Sequence, residues 1–263
     1  MPSYWLTARR TLNIGHRGAS AAAPANTLAA FEQAAAMGAD GVELDVHLSA
    51  DGVPVVIHDF AVDATTDASG QVADLTLAAL KELDAGSWFS PAFSGAQIPT
   101  LDEVFEAVGQ RLLINVELKV RDQSAALAQA VAAAVERHDL ADRVLISSFE
   151  PRALQQMERV APQLPLGFLT SPLPDAWLAR IRLRLMRDLR TEAIHPHWRQ
   201  LRAATVRRAH NRGQRIVVWT VDDADAMQEL ASWGVDAIIT NRPDRLHEVL
   251  APSETRMNAD QRG

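Results

Sequence analysis

Short β-type runs alternate with helix-period segments from one end of the 263-residue chain to the other, in about eight pairs. That arithmetic, with a glycine just past three of the helices, predicts an α/β fold of one kind, a closed (β/α)8 barrel. A third observation modifies it. Residues 59–99 break the alternation, so the barrel carries an insertion after its second-strand hairpin. An open doubly wound sheet is the competitor, but neither Gly-x-Gly-x-x-Gly nor a Walker-type loop follows the first strand. The expected organisation is a single barrel domain over 1–251, with the insertion at about 59–99, and a polar, frayed tail over 252–263.

The first strand, 12–16, runs into Gly15-His16-Arg17-Gly18, and a helix over 27–37 follows Pro24-Ala25-Asn26, with Asn26 as its expected N-cap. Two apolar runs, 41–48 and 53–57, flank Ser49-Ala50-Asp51-Gly52, a strong hairpin turn signal. The insertion is punctuated by Gly70, Gly86, Gly95, Pro91 and Pro99 and has room for one short helix, 75–83. An excursion this long, leaving the functional end of a strand, reads as a lid or substrate wall. Thr100-Leu101-Asp102-Glu103 is a capping-box pattern opening a helix over 101–108, and 112–119 is the third barrel strand. An Ala-rich helix over 123–138, a strand at 144–149, a helix over 152–160 behind Pro151 and a strand at 166–170 come next. The helix predicted over 175–190 is arginine-rich, with Ile181, Leu185 and Leu189 spaced to pack on the barrel. Strands at 192–195, 216–221 and 237–241 alternate with helices over 201–212, 224–233 and 245–250. Gly38, Gly213 and Gly234 sit where left-handed end caps belong.

With 48% hydrophobic and 22% charged residues the chain can bury a full core, and its net charge of −7, with both signs interspersed, offers no basic field to nucleic acid. Cysteine is absent, which removes disulfides, thiolate nucleophiles and Cys-type zinc sites together. No stretch reaches the roughly 20 apolar residues of a bilayer span, and the N-terminus lacks a signal-peptide apolar region. The expectation is a soluble, cytoplasmic protein without a stable membrane anchor.

In a parallel barrel the site forms at the C-terminal rim of the strands. Side chains alternate along a strand, so Glu43 and Asp45 share a face, and two carboxylates in a strand otherwise built for burial are costly unless something positive lies between them. The first strand ends in His16-Arg17, the hairpin partner of the second ends at His58, and the third ends in Glu117-Leu118-Lys119. Three carboxylates, two histidines, an arginine and a lysine therefore converge on one mouth. Oxygen donors fit one divalent ion, Mg²⁺ or Ca²⁺; Arg17 and Lys119 suit an anionic substrate, phosphate above all; two histidines move protons near neutral pH. No Gly-x-Ser-x-Gly elbow is present. The residues alone reach metal-assisted cleavage of a phosphate ester.

Gly15-His16-Arg17-Gly18, Pro24-x-Asn26-Thr27, Glu43-Leu44-Asp45-Val46, Asp51-Gly52, Val56-Ile57-His58-Asp59, Gly86-Ser87-Trp88-Phe89, Ile98-Pro99-Thr100-Leu101, Glu117-Leu118-Lys119, Val218-Trp219-Thr220-Val221 and Ile239-Thr240-Asn241-Arg242-Pro243 occur in that order. In these pieces the chain resembles the glycerophosphodiester phosphodiesterase family, from about Asn13 to Pro243. The resemblance implies a TIM barrel with the insertion after His58, acting on glycerophosphodiesters such as glycerophosphocholine or glycerophosphoethanolamine to give glycerol 3-phosphate and an alcohol. It implies His16 and His58 as the acid/base pair, Glu43, Asp45 and Glu117 as metal ligands, Arg17 and Lys119 as a phosphate clamp, and Trp219 as an apolar wall. Two positions depart from the family pattern: Ala25 stands where Glu is usual, and Ala64 where Arg is usual. Neither is a ligand or acid/base position, so they bear on packing beneath the His16 loop and on the insertion.

Outside the motifs, His195 and His197 read as substrate-pocket lining or as structural, Asp59 as a brace for the His58 loop, and Asp222 and Asp223 as helix caps. Two rival functions remain: a lysophospholipase D on the same barrel, and a non-catalytic barrel that binds phosphodiesters.

Overall fold

A computed structural model describes residues 3–121, 123–170 and 190–251. The predicted helix at 175–190, apart from Arg190, and the tail 252–263 lie outside them.

Nine strands form one sheet: β1 (Leu12–His16), β2 (Gly41–Leu48), β3 (Pro54–Val56), β4 (Leu113–Leu118), β5 (Val144–Ser148), β6 (Leu166–Thr170), β7 (Ala193–Pro196), β8 (Arg215–Val218) and β9 (Ala237–Thr240). β1 pairs in parallel with both β2 and β9, so eight strands close on themselves, while β3 lies antiparallel on β2 with Val46 opposite Val56. This is the (β/α)8 barrel the alternation predicts. Its α-helices among the described residues are α1 (Tyr4–Thr7), α2 (Leu28–Ala36), α3 (Leu77–Lys81), α4 (Leu101–Val108), α5 (Ser124–Arg137), α6 (Pro151–Val160), α7 (Ala203–His210), α8 (Ala224–Ser232) and α9 (Pro243–Leu250). No helix among the described residues is long and apolar enough to cross a membrane.

Both faces of the strands are buried, and each face has its own chemistry. Outward residues such as Val42, Leu44, Val46, Ile114 and Val116 join the helices in one large apolar cluster. Inward residues near the strand starts, Leu12, Ile14, Leu113, Leu145, Ala193, Val217 and Ala237, form a second cluster with Trp5 of α1. The Trp5 indole donates to Arg143 O at 2.7 Å, and the ring sits against the apolar floor. Further along the same inward faces come His16, Glu43, Asp45, Asn115 and Glu117. The barrel is dry at one end and ionic at the other, with the site at the C-terminal rim.

Several predicted ends move. The last strands stop before Trp219 and Asn241, which therefore belong to the rim, where Trp219 keeps a single parallel bridge to His197. Asn26 is not the cap of α2: Thr27 Oγ1 accepts from Ala30 N at 3.3 Å, and Asn26, at φ 61°, turns inward instead. The capping box at Thr100 and Glu103 forms as the sequence predicts, and Gly38, Gly213 and Gly234 have φ of 77°, 73° and 79°. The segment after β3 folds around its own small core of Val62, Val72, Leu80, Ala85 and Ile98 beside Val55 and Ile57.

Candidate active site

The site begins with a loop that must turn sharply. Arg17, Gly18 and Asn26 all have positive φ, at 55°, 83° and 61°, and Asn26 N donates to Arg17 O at 3.0 Å to close the loop on itself. A Cβ on Gly18 would stand 2.5 Å from the Ala30 carbonyl carbon, and one on Gly15 would stand 2.9 Å from Gly18 O. The glycines thus let the loop lie on α2, which aims His16 and Arg17 at the barrel mouth.

Parallel pairing sets Asp45 of β2 beside Glu117 of β4, and Glu43 is one inward step earlier on β2. One oxygen from each of the three lies within 4.8 Å of the others. All are buried, with relative exposures of 4% for Glu43, 1% for Asp45 and 8% for Glu117. Two cations reach in. Arg17 Nε lies 3.1 Å from Asp45 Oδ2, and Lys119 Nζ lies 2.9 Å from Glu117 Oε1 and 3.5 Å from Asp45 Oδ1. Asn26, missed as a site residue by the sequence reading, donates to Asp45 Oδ2 at 2.9 Å.

Two positive charges do not balance three buried carboxylates. Burial, then Asp45 and Glu117, pushes the Glu43 carboxyl well above its ordinary value, and burial with Asp45 brings Glu117 up to about 7. Asp45 goes the other way: burial opposes its charge, but Arg17 and Lys119 hold it below the usual range. Burial likewise opposes the Lys119 charge, and Glu117 and Asp45 outweigh it and raise its pKa. Glu43 has only the Arg17 backbone N–H at 3.2 Å and the His16 ring at 4.0 Å. An all-oxygen set with charge left over fits one hard divalent cation.

The two histidines come from different elements, the end of β1 and the residue two past β3. His16 Nδ1 lies 2.7 Å from Asn241 Oδ1, and His58, just past β3, has Nδ1 2.6 Å from Asp59 Oδ1. Both rings therefore keep Nδ1 engaged, which leaves Nε2 as the nitrogen for proton transfer. Burial, reinforced by Arg17, lowers His16 to about 4, and burial also lowers His58. His16, Arg17, Glu43, His58, Glu117, Lys119 and Trp219 line one pocket, with Asp45 directly behind. Trp219 donates its indole N–H to His195 O at 2.8 Å and meets Phe149 edge-on at 5.5 Å, so its place in the wall is fixed.

Some sequence readings need correction. Of the two readings of His195 the structural one applies: it is not among the residues that line the pocket, and its fully buried ring lies against Gly167, where a Cβ would come within 2.3 Å of Nε2. His197 packs on the far side of Trp219 at 5.3 Å. Asp223 caps α8 through Ala226 N at 2.9 Å, but Asp222 caps nothing and binds Asn241 instead. Trp88, 45% exposed, stacks edge-on with Phe89 in the insertion and is not among the residues of this pocket. Ala25 and Thr65, neighbour of the exposed Ala64, face a small cavity behind Arg17 and His58. Asn115, Phe149, Leu169 and Ile239 join the pocket without having been predicted; Asn115 had a signal, two residues before Glu117 on the same strand face, and Phe149 another, at the end of a predicted strand.

Comparison with known proteins agrees with this fold. A model of the Glycerophosphoryl diester phosphodiesterase family matches residues 16–245. A glycerophosphodiester phosphodiesterase of Caldanaerobacter subterraneus subsp. tengcongensis is 39% identical over 90% of this chain and 96% of its own length. One from Bacillus subtilis is 33% identical over 93% and 88% of the two chains. Among solved structures, an Oleispira antarctica phosphodiesterase in complex with the product sn-glycerol-3-phosphate superposes with a TM-score of 0.80 at 33% identity, covering 90% of this chain and 95% of the other. Family match, near-complete relatives and barrel agree, and the chain belongs to the glycerophosphoryl diester phosphodiesterase family of phosphodiester-hydrolysing enzymes.

Proposed function

We propose that this chain, as one barrel domain over 1–251, hydrolyses water-soluble glycerophosphodiesters to glycerol 3-phosphate and a free alcohol, with His16 and His58 as the proton carriers. The observation that carries the reading is the pair of imidazoles, each anchored through Nδ1 with Nε2 left for proton transfer, lining one pocket with two buried carboxylates and two cations while the Asp45 carboxylate lies behind. Glu43, Asp45 and Glu117 are the residues that would hold a divalent cation, Mg²⁺ or Ca²⁺, which when bound withdraws charge from the phosphoryl oxygens.

The chain's own groups do the rest. Arg17, whose Nε is ion-paired with Asp45, turns its guanidinium to phosphoryl oxygens, and Lys119 adds a second fixed charge. One imidazole Nε2 accepts the proton of the glycerol 2-hydroxyl as that oxygen bonds to phosphorus. The bond from phosphorus to the head-group oxygen breaks, and the second imidazole delivers a proton to that oxygen. Water then opens the cyclic phosphate with the two roles exchanged. Trp219 walls the glycerol side.

A turnover screen of glycerophosphocholine, glycerophosphoethanolamine and lysophosphatidylcholine, with and without added Mg²⁺ or Ca²⁺, tests this reading. Metal-dependent release of glycerol 3-phosphate from the first two is expected. Turnover confined to lysophosphatidylcholine would replace the reading by lysophospholipase D, and binding without turnover would leave a non-catalytic barrel.

A further inference from the structure

His16 is held in one orientation and one tautomer by a chain of hydrogen bonds that begins at a carboxylate outside the pocket. Asp222, in the connection between β8 and α8, accepts from Thr240 Oγ1 at 3.0 Å and from Asn241 N at 2.8 Å through Oδ1, and from Asn241 Nδ2 at 2.6 Å through Oδ2. Arg245 Nη1 donates to the Asp222 main-chain carbonyl at 2.8 Å, so the backbone that carries the carboxylate is tied to α9. A carboxylate only accepts, so the end of the Asn241 amide that faces it must be the NH₂. The amide oxygen then points the other way, where it receives Ser20 Oγ at 2.8 Å and lies 2.7 Å from His16 Nδ1. An amide oxygen also only accepts, so His16 Nδ1 must carry the hydrogen and Nε2 the lone pair.

We propose that Asp222 and Asn241 are positioning residues: the carboxylate sets which way the Asn241 amide points, and the amide sets which ring nitrogen of His16 is free to take a proton. The proposal rests on the reading of His16 as a proton carrier. It gives the two histidines different supports, since His58 leans directly on the Asp59 carboxylate while His16 leans on a neutral amide that is itself oriented by a charge. It also explains why Asp222 does not cap α8, a task its neighbour Asp223 performs.

Changing Asp222→Asn puts an NH₂ opposite the Asn241 NH₂. The amide is then expected to turn over, present Nδ2 to His16, and drive the ring hydrogen to Nε2. With glycerophosphocholine and saturating Mg²⁺, kcat should fall by about 10- to 100-fold while KM stays within about 2-fold. The exchanged pair, Asp222→Asn with Asn241→Asp, restores a donor facing an acceptor and an acceptor facing Nδ1–H. It should recover most of the lost kcat. ¹⁵N spectra of the imidazoles should report Nδ1–H for His16 in the wild type and in the exchanged pair, and Nε2–H in Asp222→Asn.

Wild-type kcat in Asp222→Asn, an unchanged His16 tautomer there, or an exchanged pair no better than the single variant would each overturn the proposal. Should Asp222→Asn not fold, Asn241→Leu carries the test by removing the acceptor: the same fall in kcat is expected, and unchanged kcat would overturn the proposal. His16→Ala measured in parallel separates the two readings. If it keeps full turnover, the role of His16 as proton carrier falls, whereas the tautomer spectra still decide what Asp222 and Asn241 do.

Discussion

Asp45 is the most heavily engaged side chain of the site, meeting Arg17, Lys119 and Asn26 while only 1% exposed. Its charge is what both cations lean on. Asp45→Asn is therefore expected to raise the concentration of divalent ion needed for half-maximal turnover by about 10-fold or more, with Arg17 and Lys119 left competing for Glu117 and Glu43. Activity unchanged in the presence of chelator would refute the ligand assignment. For His16→Ala and His58→Ala, kcat should drop by about 10²-fold or more with far-UV circular dichroism unchanged, because each ring is anchored by one side-chain hydrogen bond and little of the core depends on it. At this scale the sequence was most informative about charges and least about amides. A buried carboxylate or a histidine at a strand end is conspicuous, whereas Asn26 and Asn241 take their meaning from partners elsewhere in the chain, 19 and 225 residues away.

Among the elements, the hairpin β2–β3 and the loop after β1 bring the two histidines to one pocket, and neighbouring helix and strand backbones decide how closely they can come. Gly18 has φ 83° and almost touches the backbone of α2. Gly18→Ala should cost about 1–3 kcal/mol in urea unfolding and reduce kcat as well, since the loop must lift to make room. Gly167 on β6 offers a cleaner case, because what its Cβ would strike is a side chain. Gly167→Ala forces the His195 ring off its seat, so a double-mutant cycle with His195→Ala should show the two substitutions costing less together than the sum of their separate effects. A strictly additive cycle would mean the ring is not held there. Strand and helix positions were legible because short β-type runs, buried on both faces, alternate with segments whose apolar residues recur every three or four positions. The caps and contacts were not, as the Asn26 and Thr27 exchange and the Asp222 and Asp223 exchange demonstrate: in each pair two residues of capping type stand side by side, and only the inward demand of the site selects between them.

Across the whole molecule, the barrel interior changes from apolar at its floor to ionic at its mouth, and His195 lies near the boundary. Its ring is fully buried, neither nitrogen has a hydrogen-bond partner among the described residues, and burial alone drives its pKa down to about 3. The unfolded chain protonates this residue near 6.5, the folded chain only near 3, so between those values the unfolded state binds the extra proton. The stability that neutral His195 permits is complete above pH 6.5, falls as pH drops through that window, and levels off below about pH 3. One proton sets the upper limit of the slope at about 1.4 kcal/mol per pH unit. The carboxylates at the mouth titrate over part of the same range, but they do so in wild type and variant alike and cancel in the difference. Urea unfolding of wild type and His195→Leu at pH 7, 5.5 and 4.5 isolates the term. The wild type should lose stability relative to the variant at each step toward acid, whatever the offset between them at pH 7, and parallel curves would show that the ring finds its proton without unfolding the barrel.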